Sequence, residues 1–200
     1  LLRLAVFASG QGSNLEAIYE KISTGSLHGV ELALVLSNNS NSGALAFARE
    51  KHIPALHLSR LTVGSDEKAL EQEMLRALSE AKIDIIVLAG YMKKLADGVV
   101  QKYRGRIINI HPALLPDFGG AGMYGLHVHA AVIAAKRTVS GASVHIVEGE
   151  YDTGKIILQQ SCQVFETDTP ETLANRVIKI EHQILPQAIQ KIADSIENQQ

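Results

Sequence analysis

The chain has 200 residues, 46% of them hydrophobic, enough to bury one sizeable core and to form a single domain over 1–200. A formal net charge of -2, with no concentrated run of Lys and Arg, excludes a general binder of nucleic acid or membrane surfaces and leaves room only for a local anion site. One cysteine, Cys162, excludes an internal disulfide framework and a Cys-rich zinc site, and without a signal-like segment or an apolar run of spanning length the expectation is a soluble cytoplasmic protein.

In chain order, the apolar runs Leu4 to Ala8, Glu31 to Leu36, Ala55 to Leu58, Ile85 to Ala89 and Arg106 to Ile110 read as strands, with amphipathic stretches between them as crossover helices. Strands this continuously apolar are buried on both faces, so the pattern predicts an α/β, doubly wound, Rossmann-like and mostly parallel sheet. Gly141 to Val147 and Ile156 to Val164, joined by a turn around Glu148 to Lys155, then read as an antiparallel C-terminal strand pair. A C-terminal helix follows from Pro170: Thr169 can cap it, Leu173, Val177, Ile180, Ile184 and Ala188 form its buried stripe, and Pro186 is expected to kink or end it.

The first strand runs into Ala8-Ser-Gly-Gln-Gly-Ser-Asn-Leu15, where the opening of a helix offers free N–H groups to an anion. Two readings stay open here: a phosphate cradle, or a tight turn in which Ser13 and Glu16 form an S-x-x-E capping box. A dinucleotide is disfavoured, because Leu15 stands where a third glycine is needed and Ser37-Asn-Asn39 replaces the acidic residue expected after the second strand. No Gly-Lys-Ser/Thr sequence is present, so a small phosphate monoester is the ligand that survives.

Ile107-Ile-Asn-Ile-His-Pro-Ala-Leu-Leu-Pro116 places Asn109 and His111 two residues apart, hence on one face at the carboxyl end of a strand, where open α/β sheets bind ligands. An amide that can donate to an oxyanion, beside an imidazole that can do the same or move a proton, suits acyl transfer. Asp152 could face the same edge and favour the charged form of His111, or it could simply close a turn. His127 and His129 point apart on a helix and suit a loop or helix-start role, while His145 reads as a satisfied core residue. Glu181 lies at the border of the last helix's buried stripe, where a carboxylate either finds a partner or stays exposed.

Taken together, Ala8 to Leu15, Leu88-Ala-Gly-Tyr-Met92, Asn109 to Pro116, Tyr151-Asp-Thr-Gly154 and Glu181-His-Gln-Ile-Leu-Pro186 give the sequence a resemblance, over nearly its whole length, to the phosphoribosylglycinamide formyltransferases, a family of folate-dependent formyltransferases. The resemblance implies transfer of the formyl group of 10-formyltetrahydrofolate, a co-substrate, to the amino group of phosphoribosylglycinamide in purine biosynthesis. It implies a substrate site of Gly12, Ser13, Asn14, Leu15 and Glu16 on the phosphate side, with Glu181 at the ribose. Asn109, His111 and Asp152 become the catalytic trio, with Asp152 keeping His111 charged, and Met92, Lys93, Lys94 and Leu95, with Asn109, become the folate site. The implied division is a phosphate-binding half, 1–105, and a catalytic and folate-binding half, 106–200. No metal is expected, because the donor is already an activated acyl group; partners are the two small molecules, in a monomer or homodimer. The segment Asp117 to Gly125 is longer and richer in glycine than many members carry, and the basic residue that would meet the folate's carboxylate tail is left unassigned. Rival readings are a methionyl-tRNA formyltransferase, a formyltetrahydrofolate hydrolase and a non-catalytic binding module on the same fold.

Overall fold

Alternate residues of the central strands are apolar on both sides, which demands cover on both faces of a sheet. In a computed structural model, which describes residues 1–198, that demand is met by seven strands: β1 (Leu2–Phe7), β2 (Val30–Ser37), β3 (Ala55–His57), β4 (Ile85–Leu88), β5 (Ile107–His111), β6 (Val139–Ile146) and β7 (Ile156–Gln163). In β1, Leu4 and Val6 enter one core and Ala5 and Phe7 the other; Ile85 with Val87 and Ile86 with Leu88 divide in the same way in β4. The first core is closed by α1 (Ser13–Ser23), α2 (Gly43–Glu50), α5 (Leu126–Ala134) and α6 (Pro170–Glu197), and the second by α3 (Glu67–Glu80) and α4 (Asp97–Lys102).

The strand order is β3-β2-β1-β4-β5-β6-β7, parallel from β3 to β5 and antiparallel across β5, β6 and β7. The doubly wound sheet with an antiparallel C-terminal pair is therefore as expected. Because the chain leaves β1 first toward β2 and later toward β4, the carboxyl ends of β1 and β4 form a topological switch point, and the crevice there is the natural ligand site. Among the described residues no helix is long and apolar enough to cross a membrane.

One expectation needs correction. Pro186 does not end α6, which continues to Glu197. A proline inside a helix lacks one N–H and costs about 3 kcal/mol. Ile184, Leu185, Ala188 and Ile189 around it are all buried, and each such side chain contributes about 1.5–3 kcal/mol, so tertiary packing outweighs the local defect.

Candidate active site

At the β1 end, Gly12 has φ 91 and is the N-cap of α1, without a side-chain cap. The Glu16 N–H donates to the Gly12 carbonyl at 2.9 Å, which leaves the preceding amides of Ser13, Asn14 and Leu15 ahead of the first intrahelical bond. Only glycine fits: a Cβ on Gly12 would lie 2.9 Å from Ala44 Cα. The Ser13–Glu16 capping box is not formed, because Gly12 takes the cap position and Ser13 is already helical. The Leu15 side chain is in the core and Glu16 is exposed; neither side chain lines the cleft. Glu181 does, and it is buried against Asn14, whose Nδ2 donates to its Oε2 at 2.6 Å. Burial pushes the Glu181 carboxyl above its ordinary value, and the Asn14 hydrogen bond opposes that only in part.

Across the switch point, β5 delivers Asn109 and His111 to one face, and the turn after β6 brings Asp152 to them. Asp152 stands in the left-handed region at φ 57. Gly154 makes the turn possible, since a Cβ there would meet the Ile146 carbonyl oxygen at 1.8 Å. Asp152 Oδ2 lies 3.5 Å from His111 Nδ1 and accepts the Gly120 N–H at 2.9 Å, while its Oδ1 accepts from Asn109 Nδ2 at 3.2 Å. His111 is 3% exposed, and its Nε2–H donates to the Phe118 carbonyl at 2.8 Å.

Burial, its largest influence, lowers the His111 pKa below the ordinary histidine value; Asp152 and the Phe118 carbonyl pull it back only in part. Asp152 thus acts in the expected direction, favouring the charged ring, but burial outweighs it. For Asp152, burial acts to raise the pKa, but the His145 hydrogen bond, the His111 charge and the Gly120 N–H together hold it below the usual carboxylate value.

His145 joins this cluster, which sequence reasoning did not anticipate. It is buried as a core residue should be, with Nδ1–H donating to the Ile146 carbonyl at 2.9 Å, yet its Nε2 lies 3.0 Å from Asn109 Nδ2 and 3.2 Å from Asp152 Oδ1. With Nδ1 donating to a carbonyl, Nε2 is the atom that faces both Asn109 and Asp152: with a proton it donates to the Asp152 carboxylate, and without one it accepts from Asn109 Nδ2. The missing signal was the β5–β6 register, in which Asn109 faces His145 and His111 faces Ser143. Ser143 Oγ donates to the Ala113 carbonyl at 2.6 Å and accepts the Leu115 N–H at 3.0 Å, holding the turn that follows His111.

The cleft between these two ends measures about 540 Å³, and its walls include Gly12, Asn14, Met92, Asn109, His111 and Asp152. That is within the range of small-molecule sites. Of the five residues expected at the folate, Met92 and Asn109 line it: Lys93 is exposed, Leu95 is in the core, and Lys94 reaches Glu150 at 3.6 Å. His127 and His129 do point apart, His127 to solvent and His129 into the wall, where it is 4% exposed and burial pushes its pKa down to about 4. The Gly-rich segment contributes Gly120, Gly122 and Tyr124 to the same walls.

A family model described as "Formyl transferase" matches residues 2–189. Over 192 residues the chain is 40% identical to "Phosphoribosylglycinamide formyltransferase, chloroplastic" of Arabidopsis thaliana, covering 96% of this chain and 65% of that one. It is 36% identical to "Phosphoribosylglycinamide formyltransferase" of Bacillus subtilis (strain 168), covering 95% and 94%. A crystal structure of phosphoribosylglycinamide formyltransferase from Bacillus halodurans superposes with TM-score 0.89 at 37% identity, covering 98% of this chain and 97% of that one. The chain thus spans just under two thirds of the plant relative and nearly the full length of the bacterial one.

Proposed function

This chain belongs to the formyl transferase family, and from that premise we propose that it transfers the formyl group of 10-formyltetrahydrofolate directly to the amino group of phosphoribosylglycinamide. The observation that carries the reading is the convergence of Asn109, His111 and Asp152 in one cleft with a helix N-terminus that no side chain caps at its other end. The cradle of Gly12, Ser13 and Asn14, with the first amides of α1, receives the phosphate, and Glu181 receives the ribose hydroxyls. Leu15 contributes its backbone N–H alone. The folate enters beside Met92, with Lys93 and Lys94 at the mouth.

Attack of the glycinamide nitrogen on the formyl carbon forms a C–N bond and moves the carbonyl π pair onto oxygen. Asn109 and His111 are the donors closest to that developing charge. The His111 Nε2–H is held by the Phe118 carbonyl, so His111 exchanges that carbonyl for the formyl oxygen when it acts on the substrate. The growing negative charge restores the proton affinity that burial removes. Collapse breaks the bond between the formyl carbon and the folate nitrogen, which takes up the proton released by the amine, relayed by the His111–Asp152 pair. Holding both substrates in line supplies the remaining acceleration.

The test is to incubate the protein with both compounds and follow deformylated folate. Amine-dependent production is the expected result. Formate release without the amine supports a hydrolase instead, and no turnover removes the transferase reading.

A further inference from the structure

Ser9, the second residue beyond β1, does not itself line the cleft, yet it is only 9% exposed and uses every polar group it has. Its N–H donates to the Gly90 carbonyl at 3.0 Å, and its carbonyl accepts from Asn39 Nδ2 at 3.3 Å. Its hydroxyl donates to Asn38 Oδ1 and accepts the Met92 N–H at 2.8 Å. Three loops therefore meet at one residue: the phosphate cradle after β1, the polar turn after β2 and the Met92 segment after β4. Among the described residues, the hydrogen bonds between the segment 9–14 and the segment 89–95 are these two to Ser9, one from its backbone and one to its hydroxyl. The far side of the cradle is tied separately, through the Ala44 N–H to the Gly10 carbonyl.

A hydroxyl suits this position because one small group must donate in one direction and accept from another. An alanine keeps both backbone bonds and loses both hydroxyl bonds, leaving the Met92 N–H and the Asn38 side-chain oxygen without their partner. We propose that Ser9 is a positioning residue that sets the spacing between the phosphate cradle and the folate-side segment, and through it the approach of one bound substrate to the other. This rests on the formyl-transfer reading, in which the phosphoribosyl end of one substrate sits at Gly12 to Asn14 and the folate lies beside Met92. In-line transfer needs the reacting atoms at roughly 3–3.5 Å, and a displacement of about 1 Å costs roughly a hundredfold in rate. A spacer between two sites therefore acts on the transfer step and leaves each separate affinity nearly as it was.

The experiment measures, for the unsubstituted protein, Ser9→Ala and Asn38→Ala, the affinity for phosphoribosylglycinamide alone, the affinity for 10-formyltetrahydrofolate alone, and the single-turnover transfer rate with both saturating. The expected result for Ser9→Ala is a rate lowered by about ten- to a hundredfold, with either affinity changed by less than about threefold. Asn38→Ala, at a half-buried loop position that leaves β1 untouched, lowers the rate in the same direction by a smaller factor and serves if Ser9→Ala does not fold. An unchanged rate at double saturation overturns the proposal. So does a large loss of affinity for one substrate with the rate intact, since Ser9 would then shape one site and not the spacing. Hydrogen exchange at the Met92 amide needs no activity: faster exchange in Ser9→Ala supports the clamp, and unchanged exchange overturns it even if the unsubstituted protein shows no transfer, which would count against the formyl-transfer reading itself.

Discussion

The two ends of the cleft are built from different materials. At the β1 end the donors are backbone amides presented by Gly12 and the first turn of α1, a device that depends on shape and does not titrate. At the β5 end Asn109, His111, His145 and the Gly120 N–H all converge on one carboxylate, Asp152, a device that depends on where protons sit. Burial drives the His111 pKa below its ordinary value while neighbouring donors hold Asp152 below its own. A change at the first end should therefore alter binding, and a change at the second should alter rate and its pH dependence.

The largest effect that would test this division is Asp152→Asn. Turnover should fall by about 10²- to 10⁴-fold, with the affinity for the phosphorylated substrate nearly unchanged; a matching loss of affinity in a titration calorimeter would show that the two ends are not separable. Gly12→Ala comes next and acts in the opposite sense. It puts a side chain at φ 91 against Ala44, so it should weaken binding of the phosphorylated substrate by about tenfold or more and lower stability by about 1–3 kcal/mol, read from binding isotherms and urea melts. Unaltered binding would relocate the anion site. The smallest effect concerns His129, whose pKa of about 4 in the fold lies below the ordinary 6.5. As pH falls the unfolded chain takes up this proton first, so the stability contribution is complete above about 6.5 and is lost progressively down to about 4. His129→Gln should flatten the urea midpoint over that window, whereas an unchanged slope would assign the pH dependence to other groups.

Much of this arrangement was legible from residue order. Continuous apolar runs announced a parallel sheet, and the two-residue spacing of Asn109 and His111 announced a shared face at a strand end. Glu181 was recognised by its place at the edge of a buried stripe, and Asn14 proved to be the partner it needed. What stayed hidden depends on register and on burial. His145 is one apolar-strand histidine among others until β6 is aligned against β5. The neutral tendency of His111 follows from desolvation, which spacing does not reveal. Local rules failed where tertiary contacts overruled them: a glycine displaced Ser13 from the cap position, and packing carried α6 through Pro186. The Ser9 contacts join three loops that are far apart in the chain, so no local motif marks them.

The central claim is that the β5 cluster performs the transfer while the β1 cradle only holds the substrate. The single-turnover rate of His111→Ala, with phosphoribosylglycinamide and 10-formyltetrahydrofolate both saturating and each affinity measured separately, tests it most directly. The account predicts a rate lower by at least about 10²-fold with both affinities close to those of the unsubstituted protein; a rate that stays the same would contradict it and take His111 out of the mechanism.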